Sequence, residues 1–214
     1  SPSGVGTQTK YMIEALLKTG RYQFLCFGGA VKHADYTPQT IEPWGQDFRV
    51  FPIDGYGTHE LIRSVLQKER PDAVWFMTDP RFYGWLWEIE NEVRACCPMI
   101  YYHVWDNFPA PKFNRRFYRS TDEVVCISKV THQVLQEVAP DVSSHYLPHA
   151  VNYNAFHKFK PSDPRIKKLR EQIYSHGDED LANSNKKIFF WNNRNARRKQ
   201  PATLIYWFKE FADK

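Results

Sequence analysis

Short apolar runs, each separated from the next by a stretch with helical spacing, restrict the fold of this 214-residue chain more than any other feature. Residues 73–77, 99–105 and 123–127 are nearly unbroken apolar or aromatic segments. Runs of that length without polar alternation fit strands buried on both faces. Residues 22–27, 48–53 and 144–147 predict further strands, and residues 30–47 a loop. Between the runs, residues 58–68 place Leu61, Ile62, Val65 and Leu66 on one helical face. Residues 81–95 predict one helix with Trp85, Leu86, Ile89 and Val93 inward, residues 113–118 a short helix, and residues 129–138 a helix capped by Ser128. Strand and helix alternate throughout, so the expected class is α/β: a Rossmann-like, mostly parallel sheet with helices on both faces. Ligands of such sheets collect beyond the carboxyl ends of the strands.

The amino end departs from that rhythm. Gly4 and Gly6 sit just ahead of a helix predicted for residues 10–17, where Thr7 or Thr9 could cap it. Glycines there allow close backbone approach, and a phosphate or hydroxyl could rest on the loop; a plain tight turn is the simpler alternative. A βα unit needs a strand before its helix, and none precedes Gly4. The first strand is therefore expected to belong to a longer parent, as the opening on Ser1 rather than Met also suggests.

After residue 150 the texture changes. Residues 151–185 read as a linker with a helix over 165–174 and a hydrophilic loop over 176–185. Residues 186–191 read as a buried strand, followed by a loop with four cations, Arg194, Arg197, Arg198 and Lys199. A helix over 201–211 follows, with Leu204, Ile205, Trp207, Phe208 and Phe211 as its apolar positions. Three segments are thus expected: a domain over 1–150, a linker over 151–185, and the first strand-helix unit of a second Rossmann-like domain over 186–214. Cations beside the unpaired amides of a helix start make a phosphate site, although a solvated basic turn has the same composition.

Totals bound the rest. A formal charge of +5 permits anionic ligands or peripheral association with an anionic membrane surface without demanding either. Neither a signal peptide nor a run long enough to cross a bilayer is visible. The four cysteines show no metal-type spacing and no secreted framework, which fits reduced thiols in a cytoplasmic protein. Asp178, Glu179 and Asp180 form a solvated turn rather than a metal site, and no nucleophile elbow or complete phosphate loop occurs. His103 and Asp106 follow a strand end, where a histidine can serve as acid, base or hydrogen-bond donor; a structural histidine bonded to backbone is the alternative. His149 carries the same two readings.

Taken in order, these stretches resemble the two-domain GT-B glycosyltransferases, in particular the large retaining group called family 4 or group 1. The resemblance rests on Gly4-Val5-Gly6-Thr7-Gln8, His103 to Asp106, Val125-Cys126-Ile127-Ser128-Lys129, Leu147-Pro148-His149-Ala150-Val151-Asn152, and Phe190-Trp191-Asn192-Asn193-Arg194 with Lys199. It implies transfer of a sugar, with retention of configuration, from a nucleotide-diphosphate sugar to a carbohydrate, lipid-linked or protein acceptor. Arg194 and Lys199 would hold the donor diphosphate and neutralise charge on the leaving group, with Gly4 and Gly6 offering backbone amides. His103 would bond the transferring sugar, and Thr7, Asp106, Ser128, Lys129 and His149 would lie on the acceptor or sugar side. No metal or other cofactor is expected. The resemblance also implies a further donor-domain segment bearing paired glutamates, without which this stretch would be inactive alone. Asn193, Gln200 and Ala150 stand where the family usually has glycine, and Asn152 where it has aspartate. A nucleotide-sugar epimerase or hydrolase of the same fold is an alternative, as is a module that binds nucleic acid without catalysis, which would show salt-sensitive affinity.

Overall fold

A computed structural model describes residues 3–174 and 187–214, which fall into two compact units divided between Asn152 and Tyr153. The first unit opens with α1 (Gly4–Leu17), then β1 (Phe24–Gly28), β2 (Gln39–Ile41), β3 (Gly45–Pro52), α2 (His59–Glu69) and β4 (Val74–Met77). It continues through α3 (Gly84–Glu88), α4 (Glu90–Arg94), β5 (Met99–His103), α5 (Arg115–Arg119), β6 (Glu123–Cys126), α6 (Lys129–Val138) and β7 (Ser144–Tyr146). β4, β5, β6 and β7 pair in that order, all parallel, in a sheet flanked by helices. β1 and β3 pair in parallel, and β2 joins β3 from the other side as an antiparallel edge. The segment expected to be loop over 30–47 therefore contains β2 and the start of β3.

Strand alternation sorts the side chains into two layers. Phe76 of β4, Met99 and Tyr101 of β5, and Val124 and Cys126 of β6 meet Ile62, Leu66, Leu86, Trp87, Val93, Tyr118, Leu135 and Val138 from the helices. Phe27 of β1 packs against the same cluster. Its neighbour Cys26 faces the other way, into a smaller cluster built on Ile13 and Leu17 of α1 and Phe48 of β3. α2 to α6 thus cover one face of the β4–β7 sheet, and α1 covers the opposite layer at β1 and β3. Burial pushes the Cys26 and Cys126 thiols up to about 12, so both stay protonated and inert near neutral pH.

Local chemistry accounts for the helix limits. Thr58 accepts the Leu61 amide at 3.3 Å to open α2, and Ser128 accepts the Thr131 amide at 3.0 Å to open α6. α6 buries Thr131, Val134, Leu135 and Val138, the spacing of one helical face. The single helix expected over 81–95 is broken: Tyr83 (φ −118°, ψ 15°) and Ile89 (φ −117°, ψ 27°) both leave helical geometry. Those breaks let Trp87 turn fully into the core, where it stacks on Phe117 at 4.6 Å and donates to Thr121 Oγ1 at 3.1 Å, while Trp85 packs partly buried against the same cluster. Trp85 also covers Gly57, whose φ of +112° and lack of a Cβ leave room for the ring. α1 also starts earlier than expected. Its cap is Ser3, so Gly4 and Gly6 lie inside the first turn rather than ahead of it, and neither Thr7 nor Thr9 is the cap.

In the second unit, α7 (Pro164–Tyr174) and α8 (Pro201–Ala212) match the expected helices. The strand expected over 186–191 is not present over the described residues 187–191, where Phe190 is 84% exposed. A strand requires a partner ladder, and no described segment of this unit supplies one; Phe189 instead lies 5.2 Å from Phe208 of α8, ring to ring. The acidic turn at Asp178, Glu179 and Asp180, the hydrophilic loop around it and Lys186 lie outside the described residues. Leu135 is wholly buried between α6 and the sheet, so Leu135→Ala is expected to destabilise the first unit by about 2–5 kcal/mol. A urea unfolding curve followed by far-ultraviolet circular dichroism checks this through a lowered midpoint at an unchanged slope.

Candidate functional site at the carboxyl edge of the parallel sheet

The carboxyl ends of β4, β5, β6 and β7 lie side by side, and the backbone stitches the loops that leave them. Ile127 donates to the His103 carbonyl at 3.2 Å and Leu147 to the Cys126 carbonyl at 2.9 Å. Tyr102 Oη donates to the Leu147 carbonyl at 2.8 Å, and its ring centroid lies 5.6 Å from that of His149. α1 reaches the same edge. Gln8 pairs with the backbone of Ala150 in both directions: its Nε2 donates to the carbonyl at 2.8 Å, and its Oε1 accepts the amide at 3.1 Å. Gly4, Thr7, Ser128, Lys129 and His149 therefore occupy one rim of the first unit.

Within that rim the roles divide. Ser128 is engaged as a cap, bonded to both the amide and the hydroxyl of Thr131. Lys129 and Thr7 are exposed, as is Asp106 on the loop after β5. At α1, Ser3 takes two of the first-turn amides: its Oγ accepts from Gly6 at 3.1 Å and its carbonyl from Thr7 at 2.9 Å. The Gly6 amide is thus satisfied by its own cap, while a Cβ on Gly4 would meet nothing within 4 Å. Space for a ligand exists beside Gly4, but packing does not require a glycine there.

His103 differs most from its sequence reading. It is the last residue of β5, has no exposed surface, and lies between Tyr101 and Tyr118 with ring centroids 5.3 and 4.8 Å away. The Trp105 amide donates to Nδ1 at 3.4 Å, which leaves the proton of the neutral ring on Nε2. That atom has no partner among the described residues. Burial drives the pKa down to about 3, so the ring is neutral near pH 7 and a poor base. In this conformation it can offer one N–H and nothing else. His149 is exposed, though the groups around it remove enough water to lower its pKa as well.

The second unit carries the remaining candidates. Arg194 is exposed, with its amide donating to Asn193 Oδ1 at 3.0 Å. Arg197, Arg198 and Lys199 form one 3₁₀ turn, and Gln200 (φ 47°) reverses the chain into α8. No side chain caps α8, so its first amides point outward beside that turn. Among the described residues no cluster of acidic, cysteine and histidine side chains could hold a metal ion, and no helix is long and apolar enough to cross a membrane.

Sequence reasoning missed the roles of Gln8 and Tyr102 at this rim. Gln8 lies within the glycine stretch, but its partner is 142 residues away, and no local pattern reports such a pairing. No protein family, curated protein or solved structure matches the chain.

The histidine has a measurable consequence. Its folded pKa lies below the ordinary 6.5, so the unfolded chain binds the extra proton between those values. The stability it contributes is full above about pH 6.5 and declines as pH falls toward 3. Nitrogen-15 spectra of the ring are expected to show one histidine locked as the neutral Nε2–H form from pH 8 to pH 5. His103→Asn is expected to remove that signal and to flatten the loss of stability between about pH 6.5 and 3.

Proposed function

We propose that the chain is the acceptor-side domain, with the start of the donor-binding domain, of a metal-independent retaining glycosyltransferase of the two-domain GT-B type. The observation that supports it most is the gathering of the α1 amino end, the Ser128–Lys129 turn and the His149 loop on one rim of a parallel sheet. That is where an open α/β sheet binds its ligand. The chemistry asked of the protein is electrostatic. Departure of a nucleoside diphosphate places negative charge on its oxygens, and fixed cations or amides aimed there lower the barrier.

In this reading Arg194 and Lys199 hold the diphosphate, with the uncapped start of α8 adding its partial charge. Thr7, Asp106, Lys129 and His149 are the exposed groups of the first unit that meet acceptor or sugar hydroxyls. Ser128 shapes the rim as a cap. His103 acts by holding the end of β5, and contacts the sugar only if the loop from Val104 to Pro109 moves away. Arg194, Arg197, Arg198 and Lys199 gather four cations within six residues, a grouping that suits a compact dianionic group.

The test uses the chain fused to a donor-domain half that carries the paired glutamates, with radiolabelled nucleotide sugars. Binding by calorimetry and transfer to an acceptor extract are expected, with Arg194→Ala and Lys199→Ala each lowering transfer by about 10²–10³-fold. Absence of any nucleotide-sugar binding would sink the proposal. Release of free sugar, or an epimerised nucleotide sugar, in place of a glycosylated acceptor would replace transfer with hydrolysis or epimerisation on the same fold.

A further inference from the structure

The loop that leaves β5 carries aromatic rings that the core does not use. From beneath, the loop is anchored. Ala110 packs against the main core, Pro111 is buried, and the Asn114 amide donates to the Pro111 carbonyl at 2.8 Å. Asn114 is itself buried, with its Nδ2 donating to Tyr118 Oη at 3.4 Å. Above those anchors the same loop holds rings out to water: Phe108 is 54% exposed and Phe113 69%. Trp105 is fixed on both sides, its indole Nε1 donating to the Asn107 carbonyl at 3.2 Å and its amide to His103 Nδ1 at 3.4 Å.

Trp105 and Phe113 meet edge to face, with centroids 5.8 Å apart and planes at 77°, so the two rings form a corner. A phenyl ring left in water forgoes the gain of burial, and a loop held this firmly has no packing need for one at its surface. Covering by a ligand restores that gain. The neighbours of the rings say which ligand. Asp106 and Asn107, both exposed, separate Trp105 from Phe108 in the chain and supply a carboxylate and an amide. A pyranose has the matching division of surface. Its C–H bonds make one face apolar and slightly positive, suited to the negative face of an aromatic ring, while its hydroxyls project around the edge and need donors and acceptors there.

We infer that the Trp105–Phe113 corner, with Asp106 and Asn107 beside it, is a pyranose-binding site, and that the acceptor is a saccharide whose sugar stacks on this loop. The acceptor role rests on the glycosyltransferase reading; the saccharide site does not. A lipid bilayer fits the loop less well. Residues 105–113 carry one acid, Asp106, and one base, Lys112, which gives no net pull toward anionic lipid, and taking Asp106 and Asn107 into the bilayer with the rings is unfavourable. A protein partner fits less well too, because polar side chains interrupt the rings where the centre of a protein interface is apolar.

Saturation-transfer difference NMR on the chain alone, without nucleotide sugar, tests the inference. The probes are methyl β-glucoside, methyl α-mannoside, lactose and diacetylchitobiose. Transfer to at least one of them is expected, strongest at the C–H protons of one ring face. Phe113→Ser is expected to weaken that binding about tenfold, and Phe113→Tyr to retain it. Phe113→Leu keeps an apolar side chain without a ring and is expected to lose binding as well, which guards against a fault in folding. No transfer to any probe, or undiminished transfer in Phe113→Leu, would overturn the site. Sedimentation with phosphatidylcholine–phosphatidylglycerol vesicles that Phe113→Ser abolishes, without transfer to any sugar, would overturn it in favour of membrane contact. Saccharide binding by the chain, beside a fused form that binds no nucleotide sugar, upholds the site and removes only its acceptor role.

Discussion

Tyr101 lies at the middle of β5 with no exposed surface, stacked on Phe76 at 5.2 Å and edge-on to Trp87 at 5.4 Å. Its hydroxyl donates to the Thr78 carbonyl at 2.6 Å, so the one polar atom on a buried ring is satisfied as the loop leaves β4. β5 is paired on both sides, and the ladder carries that order outward to β4 and β6. A parallel strand cannot tolerate water on either face without exposing apolar side chains, so α2 to α6 are needed as a covering layer. Their breaks and short lengths follow from fitting Leu86, Trp87, Val93 and Tyr118 around the ring of Tyr101. The rim then inherits its geometry from strand ends that are already held.

Charge plays a positional part in the same unit. Burial would raise the Asp122 pKa, but bonds from Arg94 and from the Met99 amide overcome it and hold the carboxylate ionised below its ordinary range. That carboxylate joins the start of β5 to α4, while Arg94 also reaches Glu90. The remaining ion pairs, such as Arg63 with Glu92, lie at the surface, where water screens them and the net gain is small. Stability of the first unit therefore rests on its apolar layer and not on the count of its ion pairs. His103 is part of that layer: the strand end places an imidazole among tyrosines, and the cost of charging it there governs its chemistry.

The second unit is built differently. Trp207, Ile205, Phe211 and Phe190 are all exposed, and no described residue of this unit belongs to the buried core. Its order comes from helix formation in α7 and α8 and from local ring contacts such as Phe189 with Phe208 and Phe211. The cationic turn before α8 is accordingly a local structure, made by one 3₁₀ turn and one left-handed residue.

The α/β class, the strand–helix order and most helix limits were legible in the residues, because apolar periodicity and side-chain caps act within a few positions. Ser128 before α6 is read from neighbours alone. The position of Asp106 and His149 on loops that follow strand ends was legible in the same way. What sequence could not supply depends on distant partners. Residues 187–191 have a strand's composition but no ladder to join, and β2 is a strand only because β3 lies beside it. Trp85 and Trp87 are equivalent by type, and packing against Phe117 and Tyr101 made Trp87 the fully buried one. His103 could be placed near a strand end by counting; whether its ring faced solvent or the core depended on which face the helices covered. Composition and local spacing thus determined which segments form helices and strands and where polar groups interrupt them. Tertiary structure alone decided which of those groups meet, because burial and pairing are properties of two segments at once.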